Sequence, residues 1–234
     1  MKINFTRIRK KIIKTYVDVI TLDEAIQKIV YWAEKGESKY VSIMNSNDVV
    51  KSWIDLNYRE ISNTADLSTP DGAPIALAMR LYGYKHQKRV TGIDLLEKLI
   101  PILLIKDLKI FFYGSKNLVL DKISLKIRKL FPNSKIYFKS PPYRKLTFKE
   151  DNEITNMIKE INPNVIFVGL GCPKQDIWIS KKRKVISSVF IGIGAAFDYY
   201  AGTLERAPIC MQNNGLEWLY SCLLYTSPSP RDNR

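Results

Sequence analysis

Histidine is all but missing from this chain: one residue, His86, stands in 234. A metal centre built from histidines is thereby excluded, and His86, between Lys85 and Gln87, reads as an ordinary surface residue. Cysteine is almost as scarce. Cys172, Cys210 and Cys222 show no paired metal-ligand spacing and make no disulfide framework, so the expected compartment is a reducing cytosol. Cys172 would act as a nucleophile only beside a base, and the one histidine is distant from it in the chain. Long apolar runs are missing too. No stretch approaches the ~20 residues that span a bilayer, and Met1-Lys2-Ile3-Asn4-Phe5 has no continuous apolar segment of the secretory kind. A soluble or peripheral protein is expected.

Acidic residues are outnumbered, 23 against 37 Lys and Arg, which leaves a net charge of +14. Such an excess favours polyanions: nucleic acid, an anionic membrane surface or phosphorylated substrates. It does not choose among them, and a lysine- and isoleucine-rich composition inherited from an AT-rich genome is an equally good cause. The lysines are dispersed rather than gathered with arginine and aromatic residues, which argues against nucleic acid. The length suits one α/β domain with a full core and is short for two. No internal repeat and no linker divides it.

What is present is an alternation of apolar runs and helical patterns. Thr21 with Glu24 reads as a capping box that opens a helix ended by Gly36. Tyr40 to Met44 reads as a strand, residues 48–60 as a helix, Leu67 to Gly72 as a strand end entering a Pro-Asp-Gly turn, and Ala73 to Tyr82 as a helix. Further on, strands are expected at Lys109–Tyr113, Lys135–Phe138, Asn164–Gly169 and Lys184–Ile193, with helices over 117–131 and 148–161. Apolar β-branched strands alternating with helices predict an α/β, Rossmann-like domain whose mostly parallel sheet is flanked by helices. Ligands of such sheets bind beyond the carboxyl ends of the strands. The turns at 45–48, 70–72, 114–116, 169–175 and 192–198 are expected there.

Asp71 is the first candidate for chemistry. A carboxylate in a tight turn at a strand end is held on rigid backbone, and one base within reach of an attacking hydroxyl suffices for an inverting glycosyl transfer. The competing reading is that Asp favours turns in any protein. The loops Gly169-Leu170-Gly171 and Gly192-Ile193-Gly194 place small residues after strands, where backbone N–H groups can approach a diphosphate. Close packing explains the same glycines, and Phe197 departs from the full dinucleotide fingerprint. Gly114-Ser115 offers a further anion site. Gln175 and Asp176 either hydrogen-bond sugar hydroxyls or cap the helix that carries Trp178. Lys181-Lys182-Arg183-Lys184 reads as a solvated face.

Taken in order, six blocks resemble the WecG/TagA/CpsF family of glycosyltransferases. They are Asn45-Ser46-Asn47, Pro70-Asp71-Gly72, Arg89 to Leu96, Phe112-Tyr113-Gly114-Ser115, Val168 to Trp178, and Gly192 to Gly202 continuing through Arg206-Ala207-Pro208 to Gly215–Tyr220. The resemblance covers residues 15 to 220. It implies an inverting, metal-independent enzyme without cofactor. That enzyme would move an N-acetylhexosamine, typically N-acetylmannosamine, from a UDP-sugar to an undecaprenyl-diphosphate-linked acceptor in surface polysaccharide or teichoic acid synthesis. It implies Asp71 as general base and Arg89 as a diphosphate ligand. Asn45, Asn47, Gln175 and Asp198 would contact substrate, and Gly114, Ser115, Gly169, Gly171, Gly192 and Gly194 would form diphosphate loops. The family often has Thr at the position of Asn45 and usually Glu at that of Asp176. It also implies a peripheral position at the inner face of the membrane, with basic residues against anionic lipid; homo-oligomers fit as well.

Residues 1–220 are read as the glycosyltransferase domain. Residues 221–234 have no periodicity and read as a non-native, disordered tail. The family continues here with an arginine-bearing segment, so the chain is expected to keep its fold while turning over weakly. The alternative function is a nucleotide-binding oxidoreductase, suggested by the two Gly-x-Gly turns.

Overall fold

In a computed structural model, residues 7–213, 216, 217, 219 and 220 are described; the expectation for residues 221–234 lies outside them. The chain enters as an antiparallel hairpin, β1 (Arg9–Ile12) and β2 (Thr15–Asp18). There follow α1 (Leu22–Lys35), β3 (Lys39–Met44), α2 (Ser46–Ile54), α3 (Leu56–Asn63), β4 (Leu67–Pro70), α4 (Ala73–Leu81) and α5 (Gly92–Ile105). The second half contributes β5 (Ile110–Gly114), α6 (Asn117–Leu130), β6 (Ile136–Lys139), α7 (Phe148–Ile161), β7 (Val165–Gly169), α8 (Lys174–Lys182), β8 (Val189–Gly192), α9 (Ala196–Ala201) and α10 (Ile209–Asn213).

Local chemistry accounts for many of these boundaries. The Thr21 hydroxyl accepts from the Glu24 N–H while the Glu24 carboxylate takes the Thr21 N–H, so two orphan donors of α1 are satisfied. Thr147 and Glu150 repeat the device on α7. Gly36, at φ 64°, ends α1 in a left-handed turn that glycine adopts without strain. The helix expected over 48–60 breaks at Asp55, whose carboxylate accepts from Tyr58 N–H at 3.0 Å and starts α3. The strand expected over 184–193 is confined to Val189–Gly192. The preceding residues turn, because the Lys182 carbonyl takes the N–H groups of Val185 and Ile186. Lys182 is no solvated residue either: its ammonium is buried against Asp151 and Thr155, each at 2.7 Å.

Six strands form one all-parallel sheet in the order β4-β3-β8-β7-β5-β6, as the alternation predicts. One face is covered by α1, α5, α6 and α9 through a large apolar cluster that includes Phe112, Phe167 and Phe197. The other face packs Phe111, Ile166 and Phe190 against α7 and α8, with Trp178 stacked on Tyr113. Buried on both faces, β5, β7 and β8 have no polar stripe, which is why their sequences read as continuous apolar runs. The hairpin guards the β4 edge: the buried Asp18 carboxylate accepts from Ser68 N–H at 2.6 Å and from the Arg7 guanidinium.

Candidate active site

Because every strand of the sheet runs the same way, their carboxyl ends meet along one edge. There a crevice of about 340 Å³ opens between the ends of β3, β4, β7 and β8. Asn45 and Asn47 enter it from β3, Asp71 from β4, Gly171 and Cys172 from β7, and Gly192, Ile193 and Gly194 from β8. Four helices begin on its wall: Asn47 stands in the first turn of α2, Gly92 opens α5, Gln175 stands in the first turn of α8 and Ala196 opens α9. Each helix N-terminus turns the positive end of its dipole toward the crevice, which favours an anion there, while the first N–H groups of α2 are taken by the Asn45 side chain. Arg206 lines it as well and is paired with Asp94 at 2.9 Å.

Asp71 sits half-buried on this floor. Its backbone N–H is held by the Met44 carbonyl at 2.9 Å, and Gly72 at φ 81° turns the chain away behind it. Burial pushes its carboxyl up to about 7, and the charges of Asp48 and Glu217 add to the rise; the Gly72 N–H and Arg89 oppose it. A carboxylate titrating near neutrality is suited to take a proton from a hydroxyl.

Asp48, which the sequence reading passed over as part of a polar turn, is the second carboxylate of the crevice. It is buried, takes the Tyr58 hydroxyl at 3.2 Å and the Asn45 N–H at 3.1 Å, and has its own carboxyl raised by burial. Glu217 is the third, and Asp176 is a further one close by. It lies under the crevice rather than in its wall, where it accepts a hydrogen bond from the Tyr40 hydroxyl. Its second oxygen has no hydrogen-bond partner among the described residues, and its carboxyl rises to about 7, first through burial and also through the charge of Asp48. The Cys172 thiol is pushed up to about 12 by burial and by its hydrogen bond with Asp48, so it is no thiolate nucleophile. The signal for Asp48 was its place three residues after the helix cap Asn45, beside the family block.

The remaining expected residues divide. Asn45 caps α2, its side-chain oxygen accepting from the N–H groups of Asn47 and Asp48, so only its outer surface faces the crevice. Gln175 spans two loops: its side-chain oxygen accepts from the Gly194 N–H at 3.0 Å, and a Cβ at Gly192 would meet its amide nitrogen at 3.1 Å. Arg89 is engaged in an ion pair with Glu217, a residue of the crevice wall. Asp198 is turned to Thr203, whose hydroxyl donates to it at 3.2 Å, and stands outside the crevice lining. Gly171, Gly192 and Gly194 line the crevice, whereas Ser115 and Gly169 open on a second one of about 830 Å³, walled by Tyr113, Arg144, Lys174 and Trp178. Gly114 and Gly169 are demanded by packing. A Cβ on Gly114 would lie 2.5 Å from the Gly169 carbonyl oxygen, and one on Gly169 would lie 2.3 Å from the Phe197 ring. Among the described residues no group of three or more His, Cys, Asp or Glu is arranged to hold a metal ion, and no helix is long and apolar enough to cross a membrane.

Comparison with known proteins meets the same region of sequence. Residues 10–228 match the model of the Glycosyl transferase WecG/TagA/CpsF family. The chain is 30% identical over 185 residues to the N-acetylglucosaminyldiphosphoundecaprenol N-acetyl-beta-D-mannosaminyltransferase of Bacillus subtilis (strain 168), covering 79% of this chain and 71% of that protein. A protein of the same name from Bacillus spizizenii is 31% identical over 199 residues, 85% of this chain and 75% of its own. One from Staphylococcus aureus is 26% identical over 210 residues, covering 88% and 81%.

Proposed function

The chain belongs to the WecG/TagA/CpsF family of glycosyltransferases, and on that premise we propose that it transfers N-acetylmannosamine from a UDP-sugar to N-acetylglucosamine carried on undecaprenyl diphosphate. The acceptor and the sugar follow the names of its relatives. The observation that carries the catalytic part is Asp71, its carboxyl raised to about 7 on the floor of a crevice ringed by helix N-termini.

In this reading the acceptor hydroxyl lies against Asp71, which takes its proton as the oxygen attacks the anomeric carbon of the donor. The bond from that carbon to the diphosphate oxygen breaks on the opposite side, and UDP leaves with the electron pair. The configuration at the anomeric carbon is thereby inverted. Negative charge grows on the departing diphosphate, where the positive dipole ends of α2, α5 and α8, together with Arg206, stabilise it. Arg89 joins them once Glu217 releases it. Asn47 and Gln175 orient the sugars through hydrogen bonds, and the diphosphate runs along Gly171, Gly192 and Gly194. Asp48 keeps Asp71 poised by its charge. The reaction needs no metal and no cofactor in this account, and it takes place against the inner face of the membrane.

UDP release from UDP-N-acetylmannosamine, with and without lipid-diphosphate-linked N-acetylglucosamine, tests the reading. Acceptor-dependent release that disappears in Asp71→Asn is the expected result. Release that is equal without acceptor, or from no UDP-sugar at all, overturns the donor and acceptor assignment.

A further inference from the structure

The crevice is polar along Asn47, Asp48 and Asp71, but one corner of it is apolar, lined by Ile43, Gly92, Ile193 and Ala196. The register of the sheet pairs Ser42 with Gly192, so Ile43 and Ile193 stand side by side one residue further on. Two helix starts close the corner. A Cβ on Gly92 of α5 would lie 3.2 Å from the Ala196 Cβ of α9 and 3.8 Å from the Ile193 Cβ. All three side chains belong to the large apolar cluster on this face of the sheet. Ile43, Ile193 and Ala196 nevertheless keep 8%, 6% and 6% exposure, whereas Val41 and Ile191, two residues back along the same strands, keep none. The core thus surfaces inside the site, where an apolar group of a ligand gains by covering it.

A hydrogen-bond donor stands at the edge of this corner. The Gln175 side-chain oxygen is held by the Gly194 N–H at 3.0 Å, so the other end of its amide is the nitrogen, which sits over Gly192. Ile193 lies between these two glycines. An N–H donor beside an apolar patch is the complement of an acetamido group, whose carbonyl oxygen accepts and whose methyl has no polar atom. A hydroxyl in the same place would set a polar group against apolar atoms. A free amine, cationic at neutral pH, would meet a donor instead of an acceptor.

From this geometry we infer that Ile43, Ile193 and Ala196 select the N-acetyl group on the second carbon of the transferred sugar, with the Gln175 amide donating to its carbonyl oxygen. The inference rests on the proposed UDP-sugar donor and deepens it. The second carbon is bonded to the anomeric carbon, and in the proposed reaction the diphosphate runs along Gly192 and Gly194. The acyl group therefore falls beside Ile193. These three residues determine specificity; the proton and the leaving group are handled elsewhere in the crevice.

Calorimetric binding of UDP, UDP-mannose, and UDP-mannosamine carrying an N-acetyl or an N-butanoyl group to the full chain tests this without turnover. The wild type is expected to bind the N-acetyl donor at least about tenfold more tightly than UDP-mannose, which offers neither the methyl nor the carbonyl. It is expected to bind the N-butanoyl donor more weakly than the N-acetyl one. Ile193→Ala shortens the wall and is expected to reverse that last order; the milder Ile193→Val is expected to narrow it. Ile191→Val trims the same core outside the crevice and is expected to leave it unchanged. Gln175→Glu keeps an acceptor for the Gly194 N–H and removes the donor, so the N-acetyl preference over mannose is expected to fall by about fivefold. Equal wild-type affinity for the N-acetyl donor and UDP-mannose overturns the inference. So does a wild-type acyl order in both Ile193 variants, or the same change of order in Ile191→Val. Acyl selectivity that appears only when the acyl group of the acceptor sugar is varied assigns the corner to the acceptor and overturns it too. A wild type that binds none of the uridine diphosphate compounds is a different result: it sinks the proposed donor, and the inference falls with it.

Discussion

The side-chain oxygen of Gln175 accepts a hydrogen bond from the backbone N–H of Gly194, 3.0 Å away, and so ties the loop after β7 to the loop after β8. The two loops form one wall of the crevice. In Gln175→Ala the Gly194 N–H loses its partner and the wall loosens. The expected result is a fall in kcat of roughly ten- to a hundredfold with a stability loss of about 1–2 kcal/mol. Steady-state kinetics beside urea unfolding measure both, and unchanged kcat would refute the bracing role.

Asp71 must be ionised to accept a proton, and its carboxyl titrates at about 7. The rate is therefore expected to rise with pH as the carboxyl ionises and to level off above it. Asp71→Asn is expected to lose on the order of 10²–10⁴ in kcat while remaining folded. A pH–rate profile with no inflection between 6 and 8, on the order of a unit either side of that value, would remove Asp71 from the base role.

Asp48 contributes to that titration, because its charge helps raise Asp71. Asp48→Asn removes the charge and keeps the shape. The inflection of the pH–rate profile is expected to move to lower pH, by roughly half a unit to one unit. An inflection that stays in place would show that Asp48 only supports the cap of α2.

Asp176 offers a stability test free of catalysis. Its carboxyl stands at about 7 in the fold against about 4 in an unfolded chain. The folded state thus holds a proton that the unfolded state releases. Stability from this group is complete below about pH 4 and is lost as pH rises toward 7. Asp176→Asn keeps an acceptor for Tyr40 and cannot ionise, so the variant is expected to lose less stability than the wild type between pH 5 and 8, by on the order of 1–3 kcal/mol. Parallel urea midpoints at the two pH values check it; identical slopes refute it.

Gly114 and Gly171 separate packing from ligand approach. Gly114→Ala forces a Cβ to within 2.5 Å of the Gly169 carbonyl at φ 110°, and is expected to cost about 2–4 kcal/mol. Gly171→Ala meets open space at φ 76° and is expected to cost about 1 kcal/mol. Thermal unfolding ranks the two, and a reversed order would contradict the packing assigned to Gly114.

Several elements were legible before any coordinates. The capping box at Thr21 was read because every interaction it needs lies within three residues, the same device at Thr147 went unread, and β3, β5 and β7 announce themselves as apolar runs. Helix α5 was not legible: its sequence is apolar on most sides and carries Pro101, so no helical stripe stands out, and it forms because the cluster under the sheet covers it. The hairpin was hidden for the opposite reason, since Arg9–Ile12 is too basic to read as a strand without β2 paired to it.

By itself the sequence determined the parallel α/β alternation, the strand-end turns and the ordered blocks that carry the family, all of them local or linear properties. Tertiary structure alone decided which groups share the site. Tyr40 meets Asp176 across 136 positions of sequence and Arg89 meets Glu217 across 128. It also sent Ser115 and Gly169 to a second crevice and Asp198 to a helix end. The raised carboxyls of Asp48, Asp71 and Asp176 belong to the same class of fact. Burial and mutual repulsion depend on distances through space, and those exist only once β3, β4, β7 and β8 lie side by side.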